Sequence, residues 1–85
     1  MYKIAVCDDE VNDCAKITCI VKKRADVLDI QSVSCFTYTT ADGLLKELSI
    51  GFDVIFLDID MRPLDGCRTA IEIRKLDPSV IIVFC

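Results

Sequence analysis

Residues 53–61 read D-V-I-F-L-D-I-D-M, and this stretch decides the fold. The apolar residues after Asp53 place hydrophobic side chains on both faces of an extended chain, which is typical of a strand covered on both sides. The run ends abruptly in acids, at Asp58 and Asp60. The sequence therefore predicts a buried strand that carries acidic residues at its carboxyl end.

Three other stretches have strand character. Residues 1–7 (M-Y-K-I-A-V-C) form an apolar run that also stops in acids, at Asp8 and Asp9, and residues 80–85 (V-I-I-V-F-C) form a fourth buried run. Residues 31–36 (Q-S-V-S-C-F) alternate more weakly and are more polar, which favours a position near a sheet edge. Four strands are expected in total.

Helical spacing of apolar residues separates these strands. The first helix is predicted over residues 10–24, with acids at its start and bases at its end, as the helix dipole favours. Thr39 is the expected N-cap of a second helix of about ten residues, with Asp42 three positions on in the manner of a capping box. A third helix is predicted over residues 67–76, and Pro78 ends it.

The alternation of strands and helices predicts one α/β domain over residues 1–85, with a parallel sheet covered by helices on both faces. We expect a flavodoxin-like three-layer sheet with strand order 2-1-3-4. Ligands of such sheets bind beyond the carboxyl ends of the strands, at the point where the strand order reverses. Here that point lies between the first and third strands. It would bring Asp8 and Asp9 next to Asp58 and Asp60.

Composition narrows the class of protein. Hydrophobic residues make up 53% and charged residues 28% of the 85 residues, a balance typical of a packed globular chain. The net charge is −4 and the bases cluster only at Lys22, Lys23 and Arg24, so direct nucleic-acid binding is not expected. No apolar run has the length of a membrane span, and Asp8 interrupts any signal-peptide core. These features predict a cytoplasmic protein that does not enter a membrane.

The six cysteines form no C-x-x-C pair, and the chain has no histidine to complete a zinc site. Most fall where a small buried apolar residue would serve. We therefore expect reduced core thiols, with a disulfide or metal role as the alternative.

Either acidic group alone has a simple structural explanation. Acids in the first turn of a helix are favoured by its dipole, and an acid after a strand is often a solvated turn residue. Together, three or four carboxylates in one crevice must protonate or bind a cation, and Mg2+ suits such oxygen ligands. A carboxylate beside Mg2+ can attack a phosphoryl group to give an aspartyl phosphate. Asp58, at the tip of the most buried strand, is the predicted nucleophile.

Three motifs in this order resemble the receiver domains of two-component response regulators: C-D-D-E after the first strand, F-L-D-I-D-M after the third, and L-D-G before the next helix. The resemblance implies Asp58 as phospho-acceptor, with Asp9 and Asp58 as direct Mg2+ ligands. It also implies that Asp8 acts mainly through water and that the backbone carbonyl of Asp60 is a further ligand. The implied role is that of a signalling domain and not of an enzyme that turns over a substrate.

The implied phosphodonor is a phosphohistidine on a sensor histidine kinase. This chain has no histidine, so it is neither its own donor nor a histidine-phosphotransfer module. The wording of the motifs is most similar to regulators whose receiver is followed by a LytTR-type DNA-binding domain. That similarity implies transcriptional control through an output domain outside this chain.

Two features depart from the family pattern. Proline usually follows the methionine of the D-x-x-M-P motif, whereas here Arg62 takes that place and Pro63 follows it. The family's Thr or Ser after the fourth strand and its Lys after a fifth strand would lie beyond Cys85. The chain is therefore expected to be an incomplete receiver that lacks the fourth helix, fifth strand and fifth helix. An open fourth strand of this kind predicts self-association, with a partly frayed monomer as the alternative.

Two rival functions remain open at this stage. Asp58-Ile59-Asp60 matches the first half of the D-x-D-x-[TV] motif of haloacid-dehalogenase phosphatases, but Arg62 replaces the Thr or Val, and that motif normally follows the first strand. Turnover of a generic phosphate ester would support this alternative. A metal-binding or partner-binding module without phosphorylation is the other rival, and reaction with a small phosphodonor distinguishes it.

Overall fold

A computed structural model describes residues 2–30, 32–61 and 65–85. Its strands and helices alternate along the chain, as the sequence predicts. Their bounds are β1 Tyr2–Cys7, α1 Val11–Val27, β2 Val33–Tyr38, α2 Ala41–Lys46, a 3-10 turn at Leu48–Ile50, β3 Val54–Leu57, α3 Gly66–Leu76 and β4 Ile81–Phe84.

The four strands form one parallel sheet in the order β2-β1-β3-β4, which confirms the predicted class and strand order. β1 lies beside β3 with Ile4 opposite Val54 and Cys7 opposite Leu57. The carboxyl ends of these two strands are therefore level with each other. The residues that follow them come out at the same edge of the sheet.

The core lies between the sheet and the pair α2 and α3. Its largest fully buried side chains include Ile55 and Leu57 from β3, Leu44 from α2 and Ile73 from α3. Phe52 adds an edge-to-face contact with Phe36 at a centroid distance of 5.5 Å. Each of these side chains removes enough apolar area from water to contribute about 1.5–3 kcal/mol to folding.

The opposite face of β3 is less covered than the sequence predicts. Val54 and Phe56 are only half-buried, and they border an apolar groove that also contacts Leu28 of the α1 end. The alternating burial shows that α1 covers this face of the sheet only in part. β3 is therefore fully buried on one face and partly exposed on the other.

The N-terminus of α2 differs from the prediction by one residue. Thr40, and not Thr39, is the N-cap: its backbone is extended, and its hydroxyl accepts a hydrogen bond from the Gly43 N–H at 3.0 Å. The helix has six residues, shorter than the predicted ten, and the chain continues into the 3-10 turn. Two adjacent threonines offer the same side-chain chemistry, so only the backbone geometry selects the cap.

The first helix and second strand are also displaced from their predicted bounds. α1 continues past Arg24 to Val27, and Asp29 then takes a left-handed conformation with φ 57°. The Ile30 N–H donates to the Ala25 carbonyl at 2.9 Å, which closes the end of the helix. Among the described residues, β2 begins at Val33 and continues past the predicted end at Phe36 to Tyr38, while the predicted first residue, Gln31, lies outside the described residues.

The turn between α3 and β4 is well fixed. Asp77 ends the helix, as predicted, and its carboxylate accepts hydrogen bonds from the N–H groups of Ser79 and Val80. The Arg74 guanidinium donates to the Val80 carbonyl at 2.6 Å. The pKa of Asp77 is lowered, chiefly by the bonds from Ser79.

The prediction of an open fourth strand is confirmed, whereas the interpretation of residues 80–85 as a buried run holds in full only for Val80. β4 is an edge of the described sheet, and Ile81 and Phe84 are 59% and 45% exposed. An edge strand has a neighbouring strand on one side only, and α3 covers part of one face.

Among the described residues, no helix combines the length and the apolar character needed to cross a membrane.

All six cysteines are free thiols, but only two lie in the core. Cys7 and Cys14 are buried, whereas Cys19, Cys67 and Cys85 are exposed. The prediction that most of the thiols are core residues is therefore wrong. Cys19 and Cys67 occupy outward positions of α1 and α3, which the sequence pattern did not separate from inward ones.

Candidate metal centre

The carboxyl ends of β1 and β3 hold the candidate site. Asp8 directly follows Cys7, and Asp58 directly follows Leu57, the residue opposite Cys7 in the sheet. The parallel ladder continues one step further, because the Asp58 N–H donates to the Cys7 carbonyl at 3.0 Å. Both acids are therefore held by sheet hydrogen bonding and not by a loose loop.

Three carboxylates converge at this edge. One oxygen from each of Asp8, Asp9 and Asp58 lies within 4.8 Å of the other two. Asp8 is buried, Asp58 is half-buried and Asp9 is exposed, so the group opens towards solvent on one side. Hard oxygen donors with room for water fit Mg2+, which usually binds through one or two carboxylates and keeps several waters.

Backbone N–H groups fix the orientation of two of these side chains. The Glu10 N–H donates to Asp8 Oδ1 at 3.0 Å, and the Asp60 N–H donates to Asp58 Oδ1 at 3.1 Å. In each case the donor lies two residues after the acid. The same local turn thus follows both strands and orients both carboxylates.

Electrostatic repulsion accompanies this arrangement. Burial raises the pKa of Asp8, the charges of Asp58 and Asp13 raise it further, and the hydrogen bond from Glu10 opposes the shift. A raised pKa means that the negative charge on Asp8 costs free energy where it lies. A bound divalent cation would offset that cost, which is the electrostatic property expected of a metal site.

Two buried thiols, those of Cys7 and Cys14, lie next to the acidic residues. Cys7 Sγ lies 3.5 Å from Met61 Sδ, and the Cys14 thiol donates to the Asp8 carbonyl at 3.5 Å. Burial raises the pKa of Cys7 to about 12, and the charges of Cys14, Asp8 and Asp58 add to the shift. Both thiols remain protonated at neutral pH, so they act as packing groups and weak donors.

The predicted site residues do not all meet. The structure brings together the side chains of Asp8, Asp9 and Asp58, but the carboxylate of Asp60 is not part of this group. Asp60 is exposed, and it contributes its backbone N–H to Asp58. Its implied role as a ligand through the backbone carbonyl stays a prediction. Arg62 and Pro63, where the sequence departs from the family pattern, lie outside the described residues.

Sequence analysis missed one residue beside the site. Gly66 begins α3, and its N–H donates to the Ile59 carbonyl at 2.8 Å, directly after Asp58. Asp65 caps the helix by accepting from the Arg68 N–H at 2.8 Å. The sequence marked the Asp-Gly pair only as part of the L-D-G motif before the helix, because nothing in the sequence shows that the glycine packs against the acidic loop.

No family model and no curated protein matches the chain. Solved structures do match. The response regulator TrrA from Thermotoga maritima, crystallised with Mg2+ and BeF, is 27% identical with a TM-score of 0.82, covering 99% of this chain and 68% of that one. A chemotaxis protein from Vibrio cholerae is 17% identical with a TM-score of 0.82, covering 99% and 67%.

A third match is DrrB from Thermotoga maritima, an OmpR/PhoB homologue. It is 26% identical with a TM-score of 0.67, covering 99% of this chain and 35% of that one. A receiver-domain structure from Clostridium thermocellum is matched over 64% of its length. The chain is thus shorter than the proteins it resembles, and the likeness extends over almost all of its own residues.

Proposed function

We propose that this chain, whose fold is that of response-regulator receiver domains, accepts a phosphoryl group on Asp58 with the help of Mg2+. The observation that carries the proposal is the meeting of three carboxylate oxygens within 4.8 Å at the carboxyl ends of β1 and β3. Ligands of open parallel sheets bind at this kind of position. The neighbour crystallised with Mg2+ and BeF supports the same chemistry here.

The reaction proposed is transfer from a phosphohistidine. A carboxylate oxygen of Asp58 forms a bond to phosphorus while the phosphorus–nitrogen bond of the donor breaks. The electron pair of that bond stays on the imidazole nitrogen, which then takes up a proton. A Mg2+ ion held by Asp9 and Asp58, with Asp8 acting mainly through water, would neutralise charge on the transferred oxygens.

The chain's own residues place the nucleophile. Asp58 follows a strand whose Leu57 is fully buried, and its N–H is bonded to the Cys7 carbonyl. The Asp60 N–H then holds Oδ1 of the Asp58 side chain. A carboxylate fixed at both its backbone and its side chain loses little freedom when it reacts, which lowers the entropic part of the barrier.

The proposed partners follow from the same reaction class. A sensor histidine kinase in the cytoplasm would be the donor, and a LytTR-type DNA-binding output domain would carry the signal to transcription. The exposed apolar side chains of Ile81 and Phe84 support self-association of the 85-residue chain. Sedimentation at micromolar concentration tests this last point, and a concentration-independent monomer would contradict it.

Labelling by phosphoramidate in the presence of Mg2+ tests the proposal. We expect the mass of one phosphoryl group on wild type, none on Asp58→Asn and most of it retained on Asp60→Asn. Peptide mapping then identifies the labelled residue.

Three other outcomes would contradict the proposal, and two of them would favour a different function. Equal labelling of Asp58→Asn and wild type would remove Asp58 from its role. Mg2+ binding without labelling would favour the metal-binding or partner-binding module. Continuous turnover of a phosphate ester would favour the phosphatase.

A further inference from the structure

The start of α3 packs directly against the peptide that carries the proposed acceptor. A Cβ built on Gly66 would overlap the carbonyl oxygen of Asp58, and it would lie 2.7 Å from the Cα of Ile59 and 3.0 Å from the carbonyl carbon of Asp58. Side chains essentially never approach backbone this closely. Gly66 is therefore required here by the space available, since the close approach leaves no room for a side chain.

The crowded atoms are all backbone, so no change of rotamer can relieve the overlap. On its other side the Asp58 peptide is bonded to β1 through the Cys7 carbonyl at 3.0 Å. The Asp58–Ile59 segment is thus held between β1 and the first residue of α3. Any side chain at position 66 must displace either this segment or the helix.

The helix is the less movable of the two. The Thr69 side chain, on the first turn of α3, is fully buried. One turn further on, Ile73 is fully buried in the core. Retreat of α3 would open a cavity around these residues, so the displacement falls largely on the loop after β3.

We propose that Gly66 is a positioning residue for the Asp58 carboxylate, acting through the backbone of Asp58 and Ile59 without touching a metal ion or a phosphoryl group. The proposal rests on the function proposed above. Asp8 and Asp9 directly follow β1, whereas Asp58 belongs to the segment that Gly66 contacts. A shift of that segment separates the carboxylates from each other. Misplacement by about 1 Å can reduce a reaction rate by about a hundredfold.

Gly66→Ala is compared with Gly51→Ala, a matched control. Gly51 has a left-handed φ of 84°, and no atom lies within 4 Å of a Cβ built there. Alanine at position 51 destabilises the protein through backbone strain alone, and this residue is not part of the acidic site. Both variants should lose stability, but only one should alter the carboxylates.

The measurements are the Mg2+ dissociation constant from backbone chemical shifts, the initial rate of phosphoramidate labelling and urea unfolding, with binding and rate corrected to the folded fraction. We expect Gly51→Ala to match wild type within about twofold in affinity and rate. We expect Gly66→Ala to weaken Mg2+ binding and to slow labelling by about tenfold or more. A weaker Mg2+ affinity in Gly66→Ala indicates a positioning role. A purely structural role would change only the urea unfolding curve.

A second variant covers the case in which Gly66→Ala does not fold. Asp65→Ala removes the cap on the Arg68 N–H and loosens the first turn of α3 without adding an atom near Asp58. We expect it to weaken Mg2+ binding in the same direction, by about two- to threefold at constant ionic strength. An unchanged affinity in Asp65→Ala, with a lower stability, would overturn the role of the α3 start.

The outcomes separate this inference from the function on which it rests. If wild type neither binds Mg2+ nor accepts label, the proposed function fails, and the inference fails with it. If wild type does both and the folded fraction of Gly66→Ala does them equally well, only the inference is overturned.

Discussion

The acidic edge, formed by the ends of β1 and β3 and the start of α3, differs sharply from the β4 flank, formed by β4 and the outer face of α3. Both contain runs of apolar residues. At the acidic edge Cys7, Leu57 and Met61 are at most 1% exposed, whereas on the β4 flank Ile81 is 59% and Ile71 57% exposed. An apolar sequence therefore does not by itself determine whether a strand is buried. Burial depends on the number of neighbouring strands and helices.

The two regions also differ in how firmly their backbone is held. At the acidic edge, backbone hydrogen bonds from β1 and α3 hold the loop that carries Asp58, so its charged side chain is attached to a fixed, well-packed backbone. The β4 flank instead borders an apolar groove of 590 Å3, lined by residues that include Arg74 and Phe84. Three predictions test whether the two regions differ as strongly in solution.

The largest expected difference concerns thiol reactivity. At pH 8, Cys7 should react with a disulfide reagent about a hundred- to a thousandfold more slowly than an exposed thiol, because burial raises its pKa to about 12 from 9.0 and also limits access. Cys67 should react readily. Time-resolved labelling with peptide mapping measures both rates.

The pH dependence has a definite sign. The Cys7 thiol is protonated in the folded state below about pH 12 but ionises near 9.0 when unfolded. Its contribution to stability is therefore complete below pH 9 and is lost as the pH rises from 9 towards 12. Fast labelling of Cys7 at pH 8 in the absence of denaturant would contradict the tight packing of the acidic edge.

The second prediction compares the same substitution in the two regions. Ile55→Ala removes a fully buried side chain from β3 and should lower the free energy of unfolding by about 2–5 kcal/mol. Ile81→Ala, in β4, should lower it by less than about 1 kcal/mol. Urea unfolding measures both. Equal losses would show that the β4 flank is covered in solution, for instance by a second copy of the chain.

The third and smallest effect concerns the metal. Asp8→Asn should weaken Mg2+ binding by about tenfold, since it removes one of three converging charges. Asp60→Asn, which keeps the backbone N–H that holds Asp58, should change the dissociation constant by less than about twofold. Chemical-shift titration gives both values. An equal loss in both variants would mean that the Asp60 carboxylate also contributes to the site.

Much of the acidic edge could be predicted from sequence because it depends on local patterns. An apolar run that stops in acids marks the end of a strand, and the alternation of elements puts β1 beside β3. The pattern could not decide between Thr39 and Thr40 as N-cap, because both hydroxyls can accept the same bond. Nor could it show the contact of Gly66 with Asp58, which depends on two elements meeting in space.

Burial on the β4 flank was harder to predict from the sequence, for a related reason. Residues 80–85 are as apolar as residues 53–57, so the pattern of residues alone predicted both as buried, and only the expected strand order indicated an open edge at the fourth strand. Burial of β4 depends on what lies beside it, and in the described sheet it is an edge. The exposed positions of Cys19 and Cys67 were missed in the same way, since a small apolar residue fits either face of a helix.

The shared level of the β1 and β3 ends also ties ligand binding to folding. Asp8 and Asp58 are far apart along the chain and meet only when the two strands pair, so an unfolded chain has no such cluster and scarcely binds the ion. Mg2+ bound as proposed would therefore add its binding free energy to the stability of the paired sheet, by an amount that grows with the logarithm of its concentration. Without a cation, the same three charges oppose strand pairing. The concentration of free Mg2+ would thereby set how firmly this edge of the sheet stays paired.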